Sequence, residues 1–186
     1  MRAIEISSLA IGEVKLIRLP RFEDSRGYMF ESWNRRTFAA SGIDMDFVQD
    51  NCSFSRKRGT IRGLHYQAAP WAQAKLVRAV KGSVFDVAVD LRRSSPTFGR
   101  FASATLTASG GEQVFVPAGF AHGFCTLEPD TEVAYKISDF YAPEHEAGIA
   151  WDDAEIGIDW PLGGMEPVLS DKDMRLPRLA DARLDF

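Results

Sequence analysis

His65 sits in the run Gly59-Thr60-Ile61-Arg62-Gly63-Leu64-His65-Tyr66-Gln67, three residues after an arginine and ten before Lys75. An imidazole has an unperturbed pKa of about 6.5 and takes or gives a proton near neutral pH. A lysine ammonium such as Lys75 could stabilise a developing oxyanion. Tyr135, in Val133-Ala134-Tyr135-Lys136, could donate a proton to an enolate, and Asp173 follows Lys172 in Leu169-Ser170-Asp171-Lys172-Asp173. Polar segments flank the histidine run on both sides, Val48-Gln49-Asp50-Asn51 upstream and Ala74-Lys75-Leu76-Val77-Arg78 downstream. Polar, ionisable and aromatic groups in strand-like runs suggest a pocket that handles a proton and an anionic ligand. Each residue taken singly also has an ordinary use. A strand histidine can be structural, a lysine is usually solvated, a buried tyrosine generally finds a hydrogen-bond partner, and a Lys-Asp turn is commonly a solvated loop.

Metal chemistry is not expected. Small β-barrels that bind iron, manganese or zinc commonly use a His-x-His pair with a nearby Glu and a distant His. Here Tyr66 and Gln67 follow His65, while His122 and His145 lie far along the chain with no ligand-like partners. Cys52 and Cys125 are too few for a disulfide framework and lack zinc-like spacing, so both read as free thiols in a reducing compartment.

These groups need a rigid frame, and strand signals dominate the middle of the chain. Val77 to Val80 and Ser83 to Leu91 flank Lys81-Gly82, a hairpin signature. In the second run Phe85, Val87, Val89 and Leu91 share one face, while Val84, Asp86, Ala88 and Asp90 share the other. Further strands are expected over 101–106, 113–116, 122–127 and 132–138, with Ser109-Gly110-Gly111 and Pro117-Ala118-Gly119 as turns. Residues 35–40 read as the clearest helix, with Asn34 as N-cap and Gly42 just past its end. Short strands separated by turns favour a sandwich or barrel. The tail after Trp151, richer in Pro, Asp and Gly, reads as loops and short helices over that barrel.

The 186 residues suffice for one domain with a real core, and residues 1–186 are read as a single domain. A net charge of -4 gives no bulk attraction to nucleic acid or to an anionic membrane, so local arginines and lysines must hold any anionic ligand. The start, Met1-Arg2-Ala3-Ile4-Glu5, has no apolar signal-peptide core. No apolar run approaches the ~20 residues of a membrane span. A cytoplasmic protein is expected.

The ordered segments are similar to those of the nucleotide-sugar epimerases known as dTDP-4-dehydrorhamnose 3,5-epimerases. They include Phe22-x-Asp24-x-Arg26-Gly27-x-x-Phe30-Glu31, Val48-Gln49-Asp50-Asn51, Arg62-Gly63-Leu64-His65-Tyr66-Gln67 and Lys75-Leu76-Val77-Arg78. They continue through 84–92, Ser95-Pro96-Thr97-Phe98-Gly99, Pro117-x-Gly119-Phe120-Ala121-His122-Gly123-Phe124 and Tyr135-Lys136. Trp151-x-Asp153, Trp160-Pro161 and Leu169-Ser170-x-Lys172-Asp173 complete the match, which runs from about Gly12 to about Leu179.

The resemblance implies a mainly β, cupin-type jelly-roll barrel (a double-stranded β-helix) with a few short helices, working as a homodimer without metal or other cofactor. It implies that His65 is the proton acceptor, paired with Asp173, that Tyr135 is the proton donor on the opposite face of the sugar, and that Lys75 polarises the ketone and its enolate. His122 would also touch the sugar. Arg26, Glu31, Gln49, Asn51, Arg62, Glu146 and Lys172 would hold the nucleotide diphosphate, and Tyr141 would stack on thymine. Asp86 would point toward the pocket with a less defined role. The implied substrate is a dTDP-linked 4-keto-6-deoxysugar. The implied reaction inverts both carbons flanking the ketone of dTDP-4-dehydro-6-deoxy-D-glucose on the route to dTDP-L-rhamnose. An epimerase acting at one carbon of another nucleotide-linked 4-keto-6-deoxysugar is the alternative, since such relatives share nearly all these motifs. A non-catalytic sugar-binding jelly roll has no reason to keep His65, Lys75, Tyr135 and Asp173 together. Tyr66 for phenylalanine, Phe140 before Tyr141 and the bulkier Met174-Arg175-Leu176 depart from the family pattern without removing a catalytic group.

Overall fold

The structure, a computed structural model, describes residues 4–185. The outermost ends of the expected single domain, residues 1–3 and 186, lie outside the described residues. Among the described residues thirteen strands form: β1 (Glu5–Ser8), β2 (Lys15–Arg18), β3 (Phe22–Asp24), β4 (Gly27–Met29), β5 (Gln49–Ser55), β6 (Ile61–Gln67), β7 (Lys75–Lys81), β8 (Ser83–Asp90), β9 (Phe101–Thr107), β10 (Gln113–Val116), β11 (Phe120–Thr126), β12 (Thr131–Ile137) and β13 (Glu146–Gly148). Helix α1 spans Arg35–Ala40, and single 3-10 turns lie at Pro143–His145, Asp173–Arg175 and Leu179–Asp181.

Two antiparallel sheets carry the fold, one of six strands in the order β1-β2-β10-β7-β12-β5 and one of five in the order β13-β6-β11-β8-β9. β3 and β4 make a separate hairpin. The sheets pack face to face as the expected jelly roll. Their shared core joins Val77, Ala79, Val114 and Val133 of the larger sheet to Val84, Ala88, Leu106 and Phe124 of the smaller.

The period-2 pattern of β8 explains a three-layer arrangement. Its Val84 and Ala88 enter the inter-sheet core. Its Val87 and Val89, with Phe85 and Leu91, face outward and are covered by Ile149, Ile156, Trp160, Leu179 and Ala182 of the tail. The tail therefore supplies a hydrophobic lid for the outer face of the five-stranded sheet, which would otherwise expose a large apolar surface. Buried Asp153 fastens this lid, accepting from the backbone N–H groups of Glu155 at 2.9 Å and Leu179 at 2.6 Å. On the other side, Phe38 of α1 packs with Ile17, Ile43 and Leu76 over the six-stranded sheet. The Asn34 side chain caps α1 by accepting from Thr37 N–H, and Gly42 follows the helix with φ +92°.

Regular pairing breaks between β6 and β11. His122 of β11 pairs with His65, and Phe124 pairs with Arg62, so three steps on β6 oppose two on β11. This bulge turns Arg62 and His65, which simple alternation would put on opposite faces, into the same cavity. The extra residue is Gly63, at φ +125°, where a Cβ would come within 2.6 Å of Gly123 Cα. No side chain fits there.

Candidate active site

The inter-sheet core is not filled to both ends. Between β5, β7 and β12 on one side and β6 and β11 on the other lies an open cavity of about 400 Å³, to whose lining the tail adds Ser170, Lys172 and Asp173. Its lining includes His65, Lys75, Tyr135 and Asp173, as well as Gln49, Asn51, Arg62, His122, Tyr141, Glu146 and Lys172. Thus the four catalytic candidates and seven of the nine binding candidates meet in one place, although they span more than a hundred residues of sequence.

His65 Nε2 lies 2.7 Å from Asp173 Oδ1. Asp173 is nearly sealed, with a side chain 5% exposed, whereas the imidazole is 28% exposed to the cavity. Burial works to raise the Asp173 carboxyl, but the His65 hydrogen bond and charge, with help from Ser170 and the Gly63 backbone, outweigh it and hold the group below its ordinary value. Asp173 therefore stays ionised beside the ring. With Nε2–H donating to that carboxylate, Nδ1 is the nitrogen left with a free lone pair. Gly148, the cross-strand partner of His65, permits this approach, because a Cβ there would meet Leu64 O at 2.6 Å and Leu176 at 2.8 Å.

Lys75 enters from β7 and is buried, with Nζ donating to the His65 carbonyl at 3.1 Å. Burial pushes its ammonium down to about 8, opposed by the negative charges of Asp86 and Glu146. Tyr135 enters from β12. Burial pushes its phenol above the usual value, against the pull of the Arg62 charge. It therefore remains a protonated donor across the neutral range.

The nucleotide-binding candidates form a connected rim. Tyr141 Oη donates to Glu146 Oε2 at 2.8 Å, and Lys172 Nζ meets Glu146 Oε1 at 2.5 Å. Burial raises the Glu146 carboxyl, and the bonds from Lys172 and Tyr141 more than reverse this. Gln49 donates to Asn51 Oδ1 at 2.9 Å. Arg62 is braced by Ser55 Oγ at 3.1 Å and the Phe54 carbonyl at 2.9 Å. Arg26 and Glu31 stand apart. Arg26 lies in the exposed β3–β4 hairpin and binds Asp24, and Glu31 accepts from Asn34, so neither lines its own chain's cavity.

Two groups carry roles that their types alone did not announce. Buried Gln67 donates to the carbonyls of Trp71 at 2.7 Å and Phe140 at 3.2 Å and accepts from Ala142 N–H at 2.8 Å, while Gln73 donates to Asp139 O. Together they hold the loop that presents Tyr141. The signal was the placement of Gln67, in strand phase with His65 and flanked by the outward-facing Tyr66. The second group is His122 Nε2 on Asp86 Oδ2 at 2.8 Å, a second histidine–carboxylate pair. Among the described residues, no group of three or more His, Cys, Asp or Glu side chains is placed to hold a metal ion.

A jelly-roll barrel whose polar interior joins a His–Asp pair, a tyrosine and a buried lysine above a cationic rim belongs to the sugar-nucleotide epimerase class. The model of the dTDP-4-dehydrorhamnose 3,5-epimerase family matches residues 8–181. The chain is 52% identical over 180 residues to a dTDP-4-dehydrorhamnose 3,5-epimerase of Pseudomonas aeruginosa, covering 96% of this chain and 98% of that one. Among solved structures it superposes with a TM-score of 0.91 at 44% identity on the dTDP-4-dehydrorhamnose 3,5-epimerase of Bacillus anthracis with TDP and PPi bound, covering 95% of this chain and 99% of that one. It matches equally well, with a TM-score of 0.91 at 42% identity, a dTDP-6-deoxy-D-glucose-3,5-epimerase of Legionella pneumophila in complex with dTDP-4-keto-L-rhamnose, covering 96% and 94% of the two chains. The chain is a member of the dTDP-4-dehydrorhamnose 3,5-epimerase family.

Proposed function

We propose that this chain, one domain throughout, inverts both carbons flanking the ketone of dTDP-4-dehydro-6-deoxy-D-glucose to give dTDP-4-dehydro-L-rhamnose, in dTDP-L-rhamnose biosynthesis. The observation that carries the reading is the placement of His65 and Tyr135 on different sheets around one cavity, with Lys75 in the same lining.

A ketone acidifies the hydrogens on its two neighbouring carbons. His65, as the base, takes one through the nitrogen not bonded to Asp173, and the C–H electron pair moves into the enolate. Asp173 stabilises the resulting imidazolium. Lys75 places an ammonium at the enolate oxygen. Tyr135 delivers its phenolic proton to the other face of the carbon, completing the inversion, and solvent returns both groups to their starting states. The same cycle at the second carbon gives the double inversion. Every step is proton transfer, so the reading calls for no cofactor. Arg62 and Lys172 suit diphosphate oxygens, and exposed Tyr141 suits thymine.

The reading includes a cytoplasmic homodimer. No helix among the described residues is long and apolar enough to cross a membrane. Phe22, Tyr28 and Met29 of the β3–β4 hairpin are 54%, 54% and 62% exposed, and this hairpin also carries Arg26. A second copy that covers those apolar side chains would place Arg26 and Glu31 at its partner's diphosphate, the role they cannot fill in their own cavity. Mixing an Arg26→Ala chain with a His65→Ala chain should then restore one intact site per mixed dimer and recover activity neither variant has alone.

The deciding experiment for the reaction is incubation with dTDP-4-dehydro-6-deoxyglucose in heavy water, followed by proton NMR of the product. Solvent deuterium at both carbons flanking the ketone, with inverted configuration, is the expected result. Deuterium and inversion at a single carbon would establish the monoepimerase alternative, and neither would leave a binding protein.

A further inference from the structure

The His122–Asp86 pair has no place in the proton relay above, yet it is the more deeply buried of the two histidine–carboxylate pairs. Its side chains are 7% and 1% exposed. It lies beside the first pair, since His122 is the cross-strand partner of His65, and it belongs to β11 and β8 at the centre of the five-stranded sheet. A carboxylate this deep needs a reason, because burying an ion is unfavourable unless it is paired and hydrogen-bonded.

Lys75 gives that reason. Its ammonium is itself buried and has one hydrogen bond to a neutral acceptor, the His65 carbonyl. The charged or titratable groups around it are Asp86 from β8, Glu146 from β13, His65 from β6, His122 from β11 and Tyr135 from β12. Two of these are carboxylates. Glu146 is already engaged by Lys172 Nζ and Tyr141 Oη at the rim. Asp86 lies within the barrel, and its hydrogen-bond partner is a single imidazole.

We propose that Asp86 is a positioning residue for the epimerisation, holding the His122 ring through Nε2 and serving as the buried counter-charge that keeps Lys75 an ammonium at the enolate oxygen. The inference rests on the epimerase reading. A neutral amine gives an enolate far less electrostatic stabilisation than an ammonium. Burial alone favours the amine, and the Asp86 charge is the leading effect that opposes it. Asp86 thus acts through Lys75 and His122 rather than on substrate.

The test is kcat against pH for the full chain on dTDP-4-dehydro-6-deoxyglucose, comparing wild type with Asp86→Asn and Asp86→Glu. Folding is checked by circular dichroism and calorimetric binding of dTDP. In Asp86→Asn, which keeps a hydrogen-bond acceptor for His122 but loses the charge, the basic limb of the profile should move down by roughly one pH unit or more. Its loss of activity should accordingly be greater at pH 8 than at pH 6.5. Asp86→Glu, which keeps the charge but displaces the acceptor, should lower kcat while holding the basic limb near its wild-type position. A purely structural Asp86 would lower kcat by the same factor at every pH, and an unmoved limb in Asp86→Asn overturns the proposal. Should Asp86→Asn fail to fold, Asp86→Ser, which also removes the charge, takes its place: a basic limb lowered by roughly one pH unit or more supports the proposal, and an unmoved limb overturns it. Wild-type protein that produces no inversion at any pH would reject the epimerase reading itself, a result distinct from an active enzyme whose limb ignores Asp86.

Discussion

His65 and Tyr135 line one cavity from opposite sheets, His65 on β6 of the five-stranded sheet and Tyr135 on β12 of the six-stranded sheet. Face-to-face sheets pack at about 10 Å, so side chains reaching inward from each can touch the two faces of a single flat ring. Inversion at carbon needs that separation, because a lone base can only return a proton to the face it came from. The barrel supplies as architecture what the chemistry requires as geometry.

The first prediction concerns the base. His65→Ala should abolish solvent-deuterium exchange at both carbons beside the ketone while dTDP still binds, since the residues proposed to hold the nucleotide lie at the rim. Asp173→Asn should slow exchange by about 10²-fold or more, because it removes the charge partner of the imidazolium and offers an amide where a carboxylate accepted Nε2–H. Mass spectrometry of recovered sugar reads both. Wild-type exchange in the His65 variant would move the base elsewhere, with His122 next in line.

The central strands were legible because they are runs rich in β-branched and aromatic residues bounded by turn residues. β8 shows both faces in its sequence, and its expected and observed bounds differ by one residue at the C-terminal end. β11 begins at Phe120 rather than His122, because every one of its residues is buried and no polar position marks its edge. The sequence pattern does not announce β1, β2, β3, β4 and β13 as strands. They have three or four residues each, too few for an alternating pattern to show, so backbone pairing rather than a hydrophobic pattern defines them. β5 is a polar edge strand whose sequence, Gln-Asp-Asn-Cys-Ser-Phe-Ser, gives no apolar face to follow. At the site, residue types and family motifs named the members of the cavity. The β6 bulge that aligns Arg62 with His65, and the Gln67 contacts that fix the Tyr141 loop, arise from register and long-range packing, which no short window of sequence contains.

The second prediction concerns the nucleotide. Tyr141→Ala should weaken dTDP binding by roughly 1–3 kcal/mol, the usual worth of base–aromatic stacking, as measured by calorimetry. Gln67→Leu should weaken it in the same sense by loosening the Tyr141 loop, because it strands the Ala142 N–H and the Trp71 carbonyl that now pair with the amide, while the Phe140 carbonyl keeps Gln73 as a donor. Leaving such groups unpaired costs about 1–3 kcal/mol, and a denaturant melt should record part of that loss. Unchanged affinity in both variants would put the base elsewhere.

The third prediction opposes stability to activity. Lys75 has an ordinary value of 10.5 and is pushed by burial to about 8 in the folded chain. Below pH 8 both folded and unfolded states carry its proton, and the burial cost is fully present. Between about 8 and 10.5 the unfolded chain still holds a proton that the folded chain has released, so this group makes stability rise with pH. Lys75→Met should therefore be more stable than wild type at pH 7 by up to about 3 kcal/mol. That advantage should shrink by about 2 kcal/mol at pH 9.5. Urea melts of ligand-free protein at the two pH values test it, and comparison with the variant cancels the titration of groups remote from Lys75. A gap that does not change with pH would mean that Lys75 does not titrate in this window.

The last prediction separates acid from base. Tyr135→Phe removes the phenolic proton source but leaves His65, Asp173 and Lys75 in place. Burial holds the phenol above its ordinary value, so in wild type it suits reprotonating an enolate rather than abstracting the first proton. In the variant, enolate formation should persist. In heavy water the protonated His65 exchanges with solvent and can only return deuterium to the face from which it took hydrogen. Solvent deuterium should then enter the sugar faster than inverted product accumulates, by about 10-fold or more if general-acid catalysis contributes its usual share. Deuterium content by mass spectrometry and configuration by NMR, on the same sample, give the two rates. Equal losses of exchange and inversion would show that the Tyr135 hydroxyl serves structure, and that the proton for the second face comes from another group or from water.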